Sequence, residues 1–515
     1  SLTAVISSDQ TCPAKLIVKY HHLADSPMEI EYPLHLIDGT QEVVIEWQAP
    51  GQPAGYAVHA ELIPGDGSAA SQAWTAFDIL PHWTAFPRYG FLSDFSEGRP
   101  DPEETTSILA GFHINALQFY DWQYRHEQLL PPTETYTDPL GRSQSMHTVR
   151  SLIEAAHRHG MAAMPYLAVY AASVRFWKSH PLWALYDATG QPIPFGENFL
   201  GLMNPAPESP WVTHLLAEVN RMLSTLPFDG LHIDQYGDPK HVWDAHGKTV
   251  DLPRAFTNFI SRARKEHPDK AVLFNAVGNW PIEALADAPL DFLYIEIWPP
   301  EVEYATLAEI VLNAVQLTRG KPVVVALYLS PDRPANILLA DAVILACGGT
   351  RIELGEDARL LADPYFPKHQ AIDDELRKHF RRFYDYAVRG GEWLQPYTLP
   401  ESDRQEWSAA KHDQEFNEKG IMIWSVKRKM PWGSAVSLVN LSGVDNPCWD
   451  VPHASPLPLQ NKALHLEHPI RPTQVFWSCP EQDGVPKALP FEYHKGEIHT
   501  VIPQISYTGL ITIHD

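Results

Sequence analysis

Two acidic residues stand where an acid can do chemistry rather than hold a fold: Asp234, which closes the run GLHID (230–234), and Glu296, near the end of FLYIEIW (292–298). Each closes a short apolar run of the kind that forms a buried parallel strand. Side chains alternate along a strand, so His232 and Asp234 share one face, as do Tyr294, Glu296 and Trp298. Two carboxyl groups bracketing one bond are what glycosidic cleavage needs: one attacks or assists at the anomeric carbon, the other protonates the departing oxygen. The same pattern is equally open to a buried pair held by hydrogen bonds. Asp229 and Asp291 precede the same runs, which places them at the opposite, stabilising end of a parallel barrel.

Aromatic residues gather at or just beyond the expected strand ends: Tyr120, Trp122, Tyr124, Tyr236, Trp280 and Trp298. Their rings could stack on the C–H faces of sugars, although any one of them is more simply a core or rim residue. Asn275, Tyr170 and Glu353 also end strands and join the candidate contacts on that ground alone. His232-x-Asp234 could be read as a metal-binding pair, but the first strand has no H-x-H and the last ends in Glu353 beside Arg351. No metal and no cofactor is expected. There is no Gly-rich phosphate loop and no G-x-S-x-G elbow.

To position such a pair, strands must alternate with helices. Successive apolar runs at 114–122, 162–170, 200–204, 230–234, 271–277, 292–298, 323–329 and 350–354 read as eight strands. Between them lie amphipathic helices at 145–159, ended by Gly160, and at 254–266, and helical stripes through Val212, Leu215 and Val219 and through Leu307, Ile310 and Ala314. Eight βα units over about 280 residues predict a central (β/α)8 TIM barrel, here residues 79–395. Before it, LIVKYHHL, MEIEYPLHLI, EVVIEWQA and YAVHAELI alternate apolar and polar residues and predict a small immunoglobulin-like β-sandwich over 1–78, with a supporting role. After it, IMIWSVKR, SAVSLVNL, TQVFWS and TVIPQISYTGLITIHD predict a C-terminal antiparallel β-sandwich over 396–515.

A chain of 515 residues is too long for one core. Its 39 basic and 63 acidic side chains give a net charge of −24, which repels nucleic acid, and no apolar run is long enough to cross a bilayer, so no membrane partner is expected. Cys12, Cys347, Cys448 and Cys479 are scattered without a C-x-x-C pair and suggest no zinc site. A monomer is expected. The chain begins Ser-Leu-Thr, without a basic-then-apolar leader, as a mature or trimmed chain would.

Five segments, FPRYGFLSDF (86–95), HINALQFYDWQYRH (113–126), FDGLHIDQYGD (228–238), FLYIEIWPP (292–300) and GGTRIELGE (348–356), make the barrel resemble that of glycoside hydrolase family 66, the bacterial dextranases and cycloisomaltooligosaccharide glucanotransferases. The resemblance implies a retaining enzyme acting on dextran and isomaltooligosaccharides, with Asp234 as nucleophile, Glu296 as acid/base, and Tyr120 and Asp121 among the glucose-binding residues. An endo-dextranase releasing isomaltooligosaccharides is the expected activity. The cyclising members carry a carbohydrate-binding module inserted in the barrel, and no inter-strand stretch here is long enough for one. The glucanotransferase and a non-catalytic glucan-binding protein remain the alternatives. Dextran is too large to enter a cell, so the substrate implies a secreted protein.

Overall fold

The structure is a computed structural model that describes residues 2–23, 28–46, 50–414, 421–482 and 485–515; the end of the EVVIEWQA run, 47–49, lies outside the described residues. The chain divides into two compact units, one of residues 83–377 with 444–455, the other of residues 1–82, 378–443 and 456–515.

The first unit is built on eight parallel strands in sequence order: Tyr89–Leu92, Ala116–Phe119, Ala162–Ala168, Gly230–Asp234, Ala271–Val277, Leu293–Glu296, Val323–Ala326 and Gly349–Ile352. The sheet curls into a barrel whose seam is held where Phe91 N–H donates to Leu354 O (3.1 Å) and Thr350 Oγ1 donates to Pro87 O (2.7 Å). Its interior is filled by Tyr89, Phe91, Met164, Leu273, Phe292, Tyr294, Val324 and Ile352, all fully or almost fully buried, so the barrel is a packed core and not a pore.

The expected TIM barrel is present, with one change of membership. The run at 200–204 is not a barrel strand: Leu200–Leu202 is the middle strand of a small antiparallel sheet with Ala171–Ser173 and Pro194–Phe195, in the loop between the third and fourth barrel strands. Leu200 and Leu202 are buried there, and a Cβ on Gly201 would fall 2.0 Å from the ring of Trp177, so local packing accounts for their apolar character. The missing strand is Tyr89–Leu92, the first of the barrel, which shifts 114–122 and 162–170 to second and third. It carries no β-branched residue. Gly90 earns its place by close approach, since a Cβ there would sit 2.8 Å from Leu354 O across the seam.

Helices return the chain between strands where the periodicity predicts them, at Met146–Arg158, Pro210–Thr225, Leu252–Glu266 and Tyr304–Leu317, and a further helix, Pro334–Ala346, is buried all round. At the amino ends of the strands a repeated device ties neighbours together. The residue before one strand accepts the N–H that begins the preceding strand: Asn115 from Arg88 (2.8 Å), Asp229 from Ala163 (2.7 Å) and Asp291 from Val272 (2.7 Å). Asp229 and Asp291 are thus structural, at the end away from the strand tips. Segment 444–455 also belongs to this unit, where Asn336 donates to the carbonyls of Trp449 (2.9 Å) and Val451 (2.7 Å).

The second unit is antiparallel throughout its sheets. A two-stranded sheet (Leu2–Ser8, Gly39–Ile45) and a four-stranded one (Met28–His35, Pro13–His21, Ala54–Pro64, Ser71–Ile79) enclose Leu16, Val18, Tyr20, Ile45 and Val58. A six-stranded sheet and a three-stranded sheet (Leu459–Glu467, Glu497–Ile505, Phe491–His494) enclose Leu438, Leu464, Trp477, Ile498, Ile502 and Ile511. These are the two β-sandwiches of the expected fold. Among the described residues no helix is long and apolar enough to cross a membrane, and no disulfide joins any of the four cysteines.

Candidate active site

The inward phase of the barrel strands is fixed by Met164, Leu273, Tyr294, Val324 and Ile352, which line the core. Two residues further along, the same phase delivers Tyr166, Asn275 and Glu296, and four residues beyond Val324, just past its strand, Tyr328. On the fourth strand His232 and Asp234 follow it, with Tyr166 paired in register to His232. The expected alternation therefore brings Asp234 and Glu296 to one mouth, at the carboxyl ends of the strands.

Asn275, on the strand between theirs, joins the two carboxyl groups. Its Nδ2 donates to Asp234 Oδ1 (2.8 Å) and to Glu296 Oε2 (2.9 Å). Because both oxygens share one nitrogen, they can stand no further apart than those two hydrogen-bond lengths placed end to end. Asn275 Oδ1 is buried and has no partner among the described residues. On the outer sides, Tyr166 donates its hydroxyl to Asp234 Oδ2 (2.8 Å) and Tyr328 donates its own to Glu296 Oε1 (2.6 Å). The Trp298 indole also donates to Glu296.

Burial holds both carboxyl groups above the ordinary carboxylate range; for Asp234 the charge of Glu296 adds to it, while Tyr166, Asn275 and the Gln235 N–H act the other way. For Glu296 the opposing donors are Tyr328, Asn275 and Trp298. Two acids so close and so desolvated do not both ionise readily, so the pair holds one proton between them near neutrality. Each member receives three donors, so hydrogen bonding does not by itself decide which one keeps it.

The other expected residues divide. Tyr120 stands at the mouth, stacked on Phe366 (4.3 Å between ring centres), and Trp298, 37% exposed, is tilted against Tyr328 (5.6 Å). Tyr170 is buried against Phe195 and Tyr236; that burial raises its pKa, and the charges of Asp234 and then Asp121 add to it. Burial pushes the Asp121 carboxyl up to about 6 despite Arg142, and Gln123 donates to it (3.4 Å). His232 is 1% exposed and lies one layer beneath the pair, its Nδ1 3.0 Å from Tyr89 Oη and its ring stacked on Tyr89. Burial lowers its pKa to about 3, which keeps the imidazole neutral.

Glu353 is not brought to this group. Ile352 occupies the inward position, so Arg351 and Glu353 point outward, where Arg351 pairs with Glu353 and, at 2.6 Å, with Asp341 of the helix Pro334–Ala346. Two residues that the strand-end rule passed over, Tyr166 and Tyr328, are in direct contact with the acids. Counting by twos from the apolar inward positions, Met164 to Tyr166 and Ala326 to Tyr328, would have found them.

A (β/α)8 barrel with paired carboxyl groups and aromatic rings at its mouth is the architecture of an enzyme acting on glycosides. The chain belongs to glycosyl hydrolase family 66, whose family model matches residues 3–512. Two curated relatives are cycloisomaltooligosaccharide glucanotransferases of Niallia circulans, one 29% identical over 336 residues, 60% of this chain and 34% of the relative. The second is 29% identical over 291 residues, 52% of this chain and 30% of the relative, so the chain spans about a third of the length of either. A solved Paenibacillus cycloisomaltooligosaccharide glucanotransferase complexed with cycloisomaltoheptaose superposes with a TM-score of 0.86 at 20% identity, covering 99% of this chain and 96% of that one. The α-amylase of Geobacillus thermoleovorans shares the fold more loosely, with a TM-score of 0.52 at 11% identity over 84% of this chain and 99% of its own.

Proposed function

We propose that this chain cleaves α-1,6-linked glucan by double displacement, with Asp234 as nucleophile and Glu296 as acid and then base. The observation that carries the reading is the Asn275 bridge. It keeps the two carboxyl groups close, which supports the spacing of about 5–5.5 Å of retaining glycosidases over the wider gap of inverting ones. Asp234 attacks the anomeric carbon while Glu296 gives its proton to the leaving oxygen; Glu296 then takes a proton from the incoming hydroxyl as the glycosyl–Asp234 ester is opened. Tyr166 and Asn275 hold the Asp234 carboxylate in one orientation for attack. The rings of Tyr120 and Trp298 are available to sugar faces.

Hydrolysis to linear isomaltooligosaccharides is the first outcome proposed; the small three-stranded insertion between the third and fourth strands does not separate it from cyclisation, since this chain covers 96% of the superposed glucanotransferase. Cyclisation is the second reading, favoured by the glucanotransferase relatives and by the cyclic ligand of the superposed structure. The two share the ester and differ in whether water or a sugar hydroxyl opens it. Incubation with dextran separates them: hydrolysis releases reducing ends that first appear as the α-anomer by NMR, whereas cyclisation gives products without reducing ends. Initial β-anomer would refute double displacement, and unchanged dextran would refute the substrate. A polymer substrate of this size places the site of action outside the cell.

A further inference from the structure

The three-stranded sheet of the C-terminal sandwich turns Leu464, Leu466, Ile498 and Thr500 inward, which leaves the alternate residues of each strand on the outer face. That face repeats one pattern on all three strands, a Glu and a His two residues apart: His465 and Glu467, Glu497 and His499, Glu492 and His494. Register then sorts them into two rows. His465 lies opposite His499 and His499 opposite Glu492; Glu467 lies opposite Glu497 and Glu497 opposite His494.

Between the first two strands, like therefore faces like. The His465 and His499 rings are 4.3 Å apart between centres, and two glutamates stand directly across from each other. Like charges at directly opposed positions are unfavourable in a sheet. The Lys427 ammonium donates to the backbone carbonyl of Glu467 in this region. Side chains in this arrangement suit a shared cation, since neutral imidazoles offer lone pairs and the carboxylate offers charge. One nitrogen each of His465 and His499 and one oxygen of Glu497 lie within 4.8 Å of one another. Donors on tetrahedral zinc are about 3.4 Å apart given metal–ligand lengths of about 2.0–2.2 Å. The His499 Nε2 to Glu497 Oε2 distance of 3.3 Å already meets that, and the exposed His465 needs only a rotation to follow.

We propose that His465, Glu497 and His499 form a binding site for a late first-row divalent cation of the zinc class, which clips the strand Leu459–Glu467 to Glu497–Ile505. Two nitrogens and one oxygen favour zinc, cobalt or nickel over calcium or magnesium, which take oxygen ligands. A metal bound only to the folded sheet stabilises it by mass action.

The test uses the full chain stripped with EDTA and titrated with zinc chloride by calorimetry, alongside His465→Gln/His499→Gln and Glu497→Gln. One equivalent of zinc is expected to bind wild type at least ten-fold more tightly than the double variant, and to raise its thermal midpoint. Glu497→Gln, which keeps both imidazoles, is expected to fall between and serves if the double variant does not fold. Cobalt chloride should give weak visible bands without the intense near-ultraviolet absorption that a free cysteine would produce. Equal zinc affinity in wild type and both variants, or a thiolate-type cobalt spectrum, overturns the site.

Discussion

Asn275 sits between two acids that differ in what flanks them, and that difference can be read by pH. Tyr328 donates to Glu296 and so lowers the pKa of the acid; Tyr328→Phe removes the donor, and the alkaline limb of kcat/KM, where the acid loses its proton, should move to higher pH by about one unit. Tyr166→Phe does the same to Asp234, so there the acid limb moves up and the optimum narrows. Burial also makes Glu296 a cost to folding. Its folded pKa is raised, so the native state binds more protons than the unfolded chain, and stability falls as pH rises from the ordinary carboxylate range through the folded value. Glu296→Gln is therefore expected to melt about 2–4 °C above wild type at pH 8, with the gap closing below about pH 4. Asp234 and Glu296 were legible in the sequence because they are acids at the ends of apolar runs. Tyr166 and Tyr328 were not, because in a strand buried on both faces nothing but phase separates an inward tyrosine from an outward one, and the same ambiguity admitted Glu353.

At the scale of elements, the last barrel strand and the helix Pro334–Ala346 are joined through Arg351, Asp341 and Glu353, with Arg351 4% exposed and Glu353 1% exposed. Arg351→Met would remove the guanidinium that holds both buried acids, a loss of about 3–5 kcal/mol at neutral pH. Urea unfolding monitored by far-ultraviolet circular dichroism checks it, and a loss below about 1 kcal/mol would contradict the burial of this ion group. Four helices were readable from their 3.6-residue stripes, whereas Pro334–Ala346, buried all round, has none; the strands after the third were readable from their Val, Ile and Leu runs. The first strand was not, because it is only four residues long, carries no Val or Ile, and is interrupted by Gly90, which seam contact requires. The GGTRIELGE segment has a structural meaning that its letters do not reveal: Glu356 accepts the Ser93 and Asp94 N–H groups and holds the loop after that first strand.

For the molecule as a whole, composition and pattern were sufficient for a barrel with antiparallel sandwiches before and after it, since periods of 3.6 and 2 occupy different stretches of the chain. What they could not convey is that spatial units need not be contiguous in sequence. Residues 444–455 interrupt the C-terminal β-structure to pack with the barrel, where Trp449 donates its indole N–H to Glu301 O (3.1 Å) and Tyr304 Oη lies 2.7 Å from His453 Nε2. The barrel is therefore not a detachable module. A chain ended at residue 395 would strip the Asn336 amide, 1% exposed, of both its acceptors, at about 1–3 kcal/mol for that group alone. Such a truncation should lose thermal stability well before it loses any residue of the catalytic mouth, and recombination or domain exchange in this family would have to carry residues 444–455 along with the barrel to yield a soluble product.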